Sequence, residues 1–456
     1  MGTSTTDDRL IILKLGSIRF ATSLLVVLIT FVLNRVLIVE YQSPAGLVAF
    51  IFAFQHLATP SGLIAGYFSD KLDVRRRRRT PFILGGMCLS LAVTPWFPQW
   101  GSAFGAAPDS RTLFWLGVAL FSLFGVGTTV SATAVNALLV DRLPRRRRGA
   151  AMTMVWILTL AGLIIGSGCF HYLFPGDQQH RLPVIFGLFT LLAAIITILS
   201  LRGIELPQTA SPSRPPAVAT ISRTLTSFGR SRQALLFFGF LAASVLFLAM
   251  QSFILTPFGG MVLQLPVGET TKFGMYTSYG TLLGMAAAYG RLRQPTELAD
   301  TAVLPTGLWL GALAFGLLSL SAWLQHASLA TAGLWLLGFA KGLYNAGLAH
   351  LTMRLAHPVF GGVFMGLWNF LSGLALAGGE MVGGFFLEQG LDLFGSWGSA
   401  YAGVFLVEAM GLLGCLILLQ HLRVEQYWLQ ISGSLGILVS PLPSPATASA
   451  PRGAGS

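Results

Sequence analysis

Residues 202–232 read RGIELPQTASPSRPPAVATISRTLTSFGRSR. This is the longest polar stretch inside the chain, with Pro207, Pro212, Pro215 and Pro216 set among Ser, Thr and Arg. Such a composition describes a flexible linker. Six long apolar runs precede it, at 17–39, 44–68, 81–99, 112–140, 149–174 and 182–201. Six follow it, at 233–258, 271–290, 303–325, 328–353, 359–387 and 393–421. A run of about 20 apolar residues crosses a bilayer as a helix. Of the 456 residues, 54% are hydrophobic and 10% charged, against about a quarter charged in a soluble domain. Mean hydropathy is +0.71. A water-soluble globule and a disordered chain are both excluded. The expected fold is an all-α membrane protein with twelve transmembrane helices in two six-helix halves. The domains are 1–201, a cytoplasmic linker 202–232, 233–421, and a largely disordered cytoplasmic tail 422–456 that is rich in Ser, Pro, Ala and Gly.

The basic residues support twelve crossings. With the N-terminus in the cytoplasm, 24 of the 29 Lys and Arg fall on the cytoplasmic face. Only Arg111, Arg181 and Lys272 fall on the other, and Arg35 and Lys341 lie within spans. Basic residues collect on the cytoplasmic side of membrane proteins, and one missed crossing would scramble the asymmetry. Both termini are therefore expected inside. The net charge of +12 is read as this anchoring to the lipid bilayer, and no nucleic-acid partner is expected. Cys88, Cys169 and Cys415 all lie in apolar runs and form no disulfide or zinc pattern. The first run follows Lys14 and Arg19 and is read as a retained span, not a cleaved signal.

Between spans two and three the chain reads Gly66-Tyr-Phe-Ser-Asp70-Lys71-Leu-Asp73-Val-Arg75-Arg76. This resembles the loop signature of the major facilitator proteins, whose plan is two six-helix halves joined by a cytoplasmic linker. Gly66, Asp70, Lys71, Arg75 and Arg76 then form a structural gating loop. The loop is conformational hardware and does not by itself imply transport. The usual second glycine is Asp73 here, and the matching loop of the second half (Gly280 to Arg291) lacks the acidic residue. Gly149 to Trp156 and Gly361 to Trp368 repeat a Gly-to-Trp spacing at equivalent places, each preceded by an Asn (Asn136, Asn345). The match is short, and duplication and chance are equal readings of it. Arg145, Arg146, Arg147 and Arg148 close span four. They read either as a membrane anchor or as a docking patch for an acidic partner. Gly62/Gly66, Gly162/Gly166, Gly280/Gly284 and Gly379/Gly383 have the spacing of helix-packing pairs.

Polar groups at membrane depth are costly and belong against protein or a cavity. They are Asn34, Arg35 and Glu40 on span one, Gln55 and His56 on span two, Asn136 on span four, His171 on span five and Gln251 on span seven. Span ten has Lys341, Asn345 and His350, span eleven Asn369 and Glu380, and span twelve Glu408. Lys341 and Glu380 differ in depth by about 14 Å of helix rise, so a direct pair needs tilted helices. Spans one, four and seven offer few ionisable groups centrally, which is sparse for a carrier of sugars or charged drugs. The 33 Phe and 10 Trp suit a large hydrophobic ligand or a protein partner instead.

Several segments together resemble one family. Leu33-Asn34-Arg35-Val36-Leu37-Ile38-Val39-Glu40 is similar to the Asn-Arg-Val-x-Ile-Val-Glu stretch of the PucC/LhaA-type proteins. Met353 to Gly373, with Pro358, Gly361, Gly362, Gly366 and Trp368, resembles the start of their eleventh helix. Tyr401-Ala-Gly-Val-Phe-Leu-Val-Glu408 resembles the start of their last. The resemblance implies a major-facilitator-like membrane assembly factor that binds or delivers chlorophyll or bacteriochlorophyll. It implies carotenoid as a further pigment, antenna or photosystem membrane subunits as partners, and a thylakoid or photosynthetic inner membrane as the location. Arg75 to Arg79 and the proline linker depart from the family pattern and leave the pigment type open.

On this reading Asn34, Arg35 and Glu40 form a family-specific polar cluster, with Arg35 facing Glu40, a partner carboxylate or a pigment carbonyl. His56, His171 and His350 are candidate axial ligands to a chlorin magnesium, since a neutral imidazole is a common metal ligand. The competing reading of each is a hydrogen-bonded packing histidine. Phe and Trp on lipid-facing grooves would stack on the macrocycle. No motif for nucleotide hydrolysis, a zinc site or a nucleophilic triad stands out, so no enzyme and no soluble cofactor are expected. Two other functions remain: a secondary transporter of a small amphipathic solute, and a permanent photosystem subunit.

Overall fold

The computed structural model describes residues 3–71, 79–142, 145–173, 179–204, 226–292, 297–355 and 361–435, and every regular element among them is helical. In the first half, α1 (Thr3–Val26) continues through two π-wound segments, Val27–Leu33 and Val36–Glu40. The second crossing is broken into α2 (Ala45–Leu57) and α3 (Pro60–Lys71). The third joins α4 (Thr80–Val93) to α5 (Phe97–Ala106) through a 3₁₀ turn at Thr94–Trp96. Then come α6 (Arg111–Arg142), α7 (Arg145–Leu173) and α8 (Leu182–Leu201). The second half holds α9 (Arg232–Met261), α10 (Val267–Leu292), α11 (Glu297–Leu324), α12 (Ala327–Leu355), α13 (Gly361–Phe394) and α14 (Trp397–Gln420). Each half therefore crosses six times.

Local chemistry sets the breaks. Pro60 has no N–H and disfavours helix in the residue before it, so α2 stops and the chain turns at Ala58-Thr59. Pro81, Pro98 and Pro183 sit in the first turns of α4, α5 and α8, where the missing N–H costs nothing. Ser231 and Ser396 cap α9 and α14 by accepting from Ala234 N–H (3.1 Å) and Ser399 N–H (3.3 Å). Gly395, at φ +66°, ends α13 in the left-handed geometry that glycine adopts freely.

Ten of the crossings are apolar enough to be recognised on composition alone. The other two are α10, which carries Glu269, Lys272 and Arg291, and α12, which carries Lys341. These two are the eighth and tenth crossings, and they pack on each other through glycine. Gly280 and Gly284 lie on the backbone of Trp335 and Phe339, and Gly338 and Gly342 on that of Thr277 and Thr281. A Cβ at any of the four would enter the facing main chain, so this contact is made by small residues and not by apolar bulk. The other expected pairs pack too: Gly162 on Phe20, Gly166 on Leu24 and Val27, Gly379 on Leu246, Gly383 on Met250, and Gly62 and Gly66 on Thr133.

At the end of the bundle that carries the N-terminus, Lys14 Nζ donates to Arg202 O (2.7 Å) and Arg142 Nη2 to Ile204 O (2.8 Å). A further helix, α15 (Val424–Leu435), docks there on α9. Gln233 Nε2 donates to Gln426 Oε1 (3.1 Å), and Arg423 N–H donates to Gln233 Oε1 (2.9 Å). The sequence reading did not separate this helix from the tail. The opposite end is called distal below.

Phenylalanine is divided between surface and interior: Phe68, Phe370, Phe385, Phe386 and Phe394 are exposed. Phe52, Phe97, Phe104, Phe121, Phe124, Phe170, Phe186, Phe237 and Phe240 are fully buried. They pack ring on ring, as in Phe52–Phe121 at 4.2 Å and Phe97–Phe121 at 4.8 Å. Trp96, Trp115, Trp156, Trp309 and Trp323 are exposed, and Trp100 is buried.

Candidate functional site

The two halves meet along a seam where the π segments of the first crossing face α9, α2 faces α13 and α7 faces α10. Asn34, Arg35, Glu40, His56, His171 and Glu380, singled out from sequence, lie on it.

Asn34 and Arg35 are the two residues between the π segments of the first crossing. Two positions five apart on an α-helix point about 140° away from each other, at 100° per residue. The wider i→i+5 winding of a π segment brings Glu40 beneath Arg35, and the two side chains form an ion pair. Arg35 Nη2 also donates to Leu265 O across the seam (2.8 Å). Gly260 makes room for this: a Cβ there would stand 3.2 Å from Arg35 Nε and 2.7 Å from Val39. Of the partners proposed for Arg35, the structure supplies Glu40 and adds a backbone carbonyl.

Asn34, 0% exposed, does related work. Pro257 lies inside α9 and lacks the N–H that would satisfy the carbonyl four residues back. That carbonyl is Phe253 O, and Asn34 Nδ2 donates to it from the other half. A proline in one half thus creates an acceptor that the other half fills. Just past the crossing, Tyr41 packs on Gly105. Burial, and then the Glu40 carboxylate, raise the pKa of its phenol.

His56 occupies the last turn of α2, immediately before the break. Its Nε2 lies 3.0 Å from Glu380 Oε1 on α13. Two turns further along α13, Glu388 Oε1 accepts from Gly46 N–H (2.7 Å) at the start of α2. Gly46 lets the carboxylate approach closely, since a Cβ would stand 2.6 Å from Glu388 Oε2. Glu388 was not identified from sequence. Its signal was present: it lies eight residues after Glu380, on the same helix face. On the third contact, His171 Nδ1 of α7 lies 3.9 Å from Glu269 Oε1 of α10, and Glu269 also holds Lys272 (2.9 Å). Lys341 of α12 is half-buried, and Glu408 of α14 is fully buried.

The remaining candidates are spread out. His350 is half-buried near the end of α12. Gly66 packs in α3 against Thr133 of α6, and Asp70 and Lys71 are its last residues. Next to them, Arg79 donates to Ser69, a contact with no clear sequence signal. The side chains of Asp70 and Lys71, and all of Arg75 and Arg76, lie outside the described residues. Arg145, Arg146, Arg147 and Arg148 form the first turn of α7, and their side chains also lie outside the description.

The three histidines sit on α2, α7 and α12 and are not brought together. Among the described residues no three His, Cys, Asp or Glu form a metal-sized group. His56 turns Nε2 to a carboxylate and His171 has Nδ1 buried. On α10 and α12, the rings of Tyr279 and Trp335 lie nearly parallel (9°) with centroids 5.9 Å apart, and Tyr276 stacks on Trp335 at 6.2 Å. Tyr279 and Trp335 are exposed.

Comparison with known proteins places this arrangement. The chain is 30% identical over 424 residues to the "Bacteriochlorophyll synthase 44.5 kDa chain" of Rhodobacter capsulatus, covering 88% of this chain and 94% of that one. It is 26% identical over 397 residues to "Protein PucC" of Rhodovulum sulfidophilum, covering 83% and 85%. Among solved structures, a point mutant of the nucleoside transporter NupG superposes with a TM-score of 0.67 at 14% identity, covering 90% of this chain and 99% of that one. A bacterial homolog of the human lysosomal transporter Spinster, inward-facing and unoccupied, gives 0.62 at 14%, covering 96% and 99%. These likenesses show the fold, that of the major facilitator transporters. The family model described as "PUCC protein" matches residues 32–427, and the chain belongs to that family.

Proposed function

We propose that this integral membrane protein is a non-enzymatic assembly factor that carries bacteriochlorophyll to newly inserted antenna subunits in a bacterial photosynthetic membrane. The observation that carries the reading is membership of the PUCC family over residues 32–427, with relatives named for bacteriochlorophyll synthesis and as PucC. Tyr276, Tyr279 and Trp335 would hold the ring plane by stacking, which is favoured between flat aromatic faces. Bound there, the pigment supplies light absorption and no reaction. The seam supports a non-enzymatic role, because Arg35, Asn34, His56 and Glu388 are spent on holding the halves together.

The test is a deletion strain. Loss of the gene should lower antenna complexes while pigment synthesis continues. Complementation with Trp335→Ala/Tyr279→Ala should restore membrane protein but not full antenna levels. Normal antenna in the deletion strain would contradict the proposal.

The second reading is a secondary transporter, favoured by the likeness to NupG and Spinster. It requires solute-driven uptake in proteoliposomes and loss of coupling in Glu380→Gln or Glu408→Gln. Uptake of this kind together with normal antenna in the deletion strain would establish it over the first.

A further inference from the structure

Arg35 and Lys272 show how this chain holds a cation at depth. Arg35 pairs with Glu40 and bonds Leu265 O, and Lys272 holds Glu269. Lys341, the central residue of α12, has neither a hydrogen bond nor an ion pair among the described residues. Tyr344, three residues on, is engaged with Ser244 Oγ (2.7 Å). Glu408, the interior carboxylate of α14, is fully buried, and neither of its oxygens has a hydrogen-bond partner. The Lys341 ammonium is thus not spent on it. Arg19 also lacks a partner, but it lies nearer the N-terminal end of its crossing, where a long side chain reaches the head groups.

The position of Lys341 on its helix shows what it faces. Leu334, Leu337 and Leu348 lie seven and four residues before it and seven after, on one helix face, and are 0–4% exposed. That face therefore looks into the protein. Asn345, four residues on, shares it and is nevertheless exposed. A residue exposed on an inward face borders an open space. Trp335 stands about 120° round the helix from Lys341, at 100° per residue, so this face is separate from the Tyr279–Trp335 pair.

The packing of the halves supplies the space. The first crossing engages α9 through its π segments, and the second engages α13 through α2. The segments nearer the N-terminal face, α1 and α3, pack within their own half, on α7, α8 and α6. The halves thus part toward that face, and α12 runs from Lys341 through Asn345 toward it. Asn136, at the equivalent place in the fourth crossing, is exposed as well. Other charge is sparse: α6 carries ionisable residues only at its ends (Arg111, Asp141, Arg142), and α9 only Arg232 at its start.

We propose that Lys341 and Asn345 form a carboxylate-binding site at the inner end of this cleft, which takes an amphiphile with one carboxylate on an apolar body. An unpaired charge at membrane depth is costly, and the ligand's carboxylate is the counter-charge that the chain does not provide. Lys341 Nζ donates to one carboxylate oxygen and Asn345 Nδ2 to the other. The apolar walls hold the body. Two sources share this chemistry, a free fatty acid and a macrocycle with an unesterified carboxylate. The site is independent of the pigment seat proposed on Tyr279 and Trp335.

The test uses the full-length protein in an uncharged maltoside detergent. The probes are oleate and pheophorbide a, a chlorin with one free carboxylate, each beside its methyl ester, with binding read by native mass spectrometry. At least one of the acids should bind saturably, and its ester about tenfold more weakly, as expected for loss of a hydrogen bond to a charged group. Binding of oleate alone identifies the fatty-acid class, of pheophorbide a alone the macrocycle, and of both a site that reads only the head group. Lys341→Met should weaken binding about tenfold, and Asn345→Leu severalfold. Lys341→Arg keeps the charge and should retain most of the binding, which separates lost recognition from lost folding. Trp335→Ala/Tyr279→Ala should leave binding unchanged. No saturable binding of either acid, an ester that binds as well as its acid, or equal binding by Lys341→Met would overturn the proposal. So would loss of binding in Trp335→Ala/Tyr279→Ala, which would place the ligand on the exposed rings.

Discussion

At the scale of residues, the seam is held by groups that repair one another's deficits. Asn34 fills the carbonyl that Pro257 leaves without a donor. Replacing Asn34 by Leu orphans a buried acceptor, at a cost of about 1–3 kcal/mol. Pro257→Ala supplies the missing N–H from within α9. A double-mutant cycle read by thermal unfolding in detergent should show Asn34→Leu to be markedly less damaging in the Pro257→Ala background. Equal cost in both backgrounds would disprove the pairing. Arg35 is 3% exposed. Arg35→Ala removes the counter-charge of Glu40 and should cost about 3–5 kcal/mol; recovery on adding Glu40→Gln would show that the stranded carboxylate was the cause. The sequence marked Asn34, Arg35 and Glu40 as a group. It did not reveal their partners, because Phe253 and Leu265 contribute only backbone oxygen, and no side-chain pattern records that.

At the scale of elements, two departures from regular helix place the site. The π winding after Val26 puts Glu40 under Arg35, and the Pro60 break puts His56 at a helix end. The break was readable from proline, whereas the π turns were not, since Val27–Leu33 is an ordinary apolar run. Pro60→Ala should let α2 and α3 fuse. Hydrogen exchange at Ala58–Ser61 is then expected to slow, and unchanged exchange would show that the break has another cause. Small residues set how closely helices approach. Gly383→Leu would drive a side chain into Met250 O, 2.7 Å from an added Cβ. It should lower folded yield severalfold by size-exclusion, whereas Gly187→Leu, which faces open space, should not. The same logic explains α10 and α12. Their glycine and hydroxyl content lowers hydropathy while improving contact, so they are the least apolar of the twelve runs, and ten helices among the described residues are long and apolar enough to cross a membrane by composition alone.

At the scale of the whole molecule, two six-helix bundles meet through polar links from mid-membrane to the distal end: Asn34 to Phe253 O, Arg35 to Leu265 O, Gly46 to Glu388, His56 to Glu380, and His171 to Glu269. The plan was legible in the proline linker and the basic loops. The seam was not, because pairing between residues 98 to 342 positions apart leaves no local spacing to read. Inside the bundles aromatic rings serve packing, and at the surface the exposed Tyr279 and Trp335 stack ring on ring, the proposed seat of the pigment ring. Truncating Trp335 and Tyr279 should weaken pigment retention about tenfold, the worth of roughly 1.5 kcal/mol of stacking. The most direct measurement is the absorption spectrum of the protein purified in mild detergent from cells making both pigment and antenna. Near-stoichiometric bacteriochlorophyll, strongly reduced in the Trp335→Ala/Tyr279→Ala protein, is the predicted result; a wild-type protein that folds, carries no pigment and brings down no antenna subunit would contradict it.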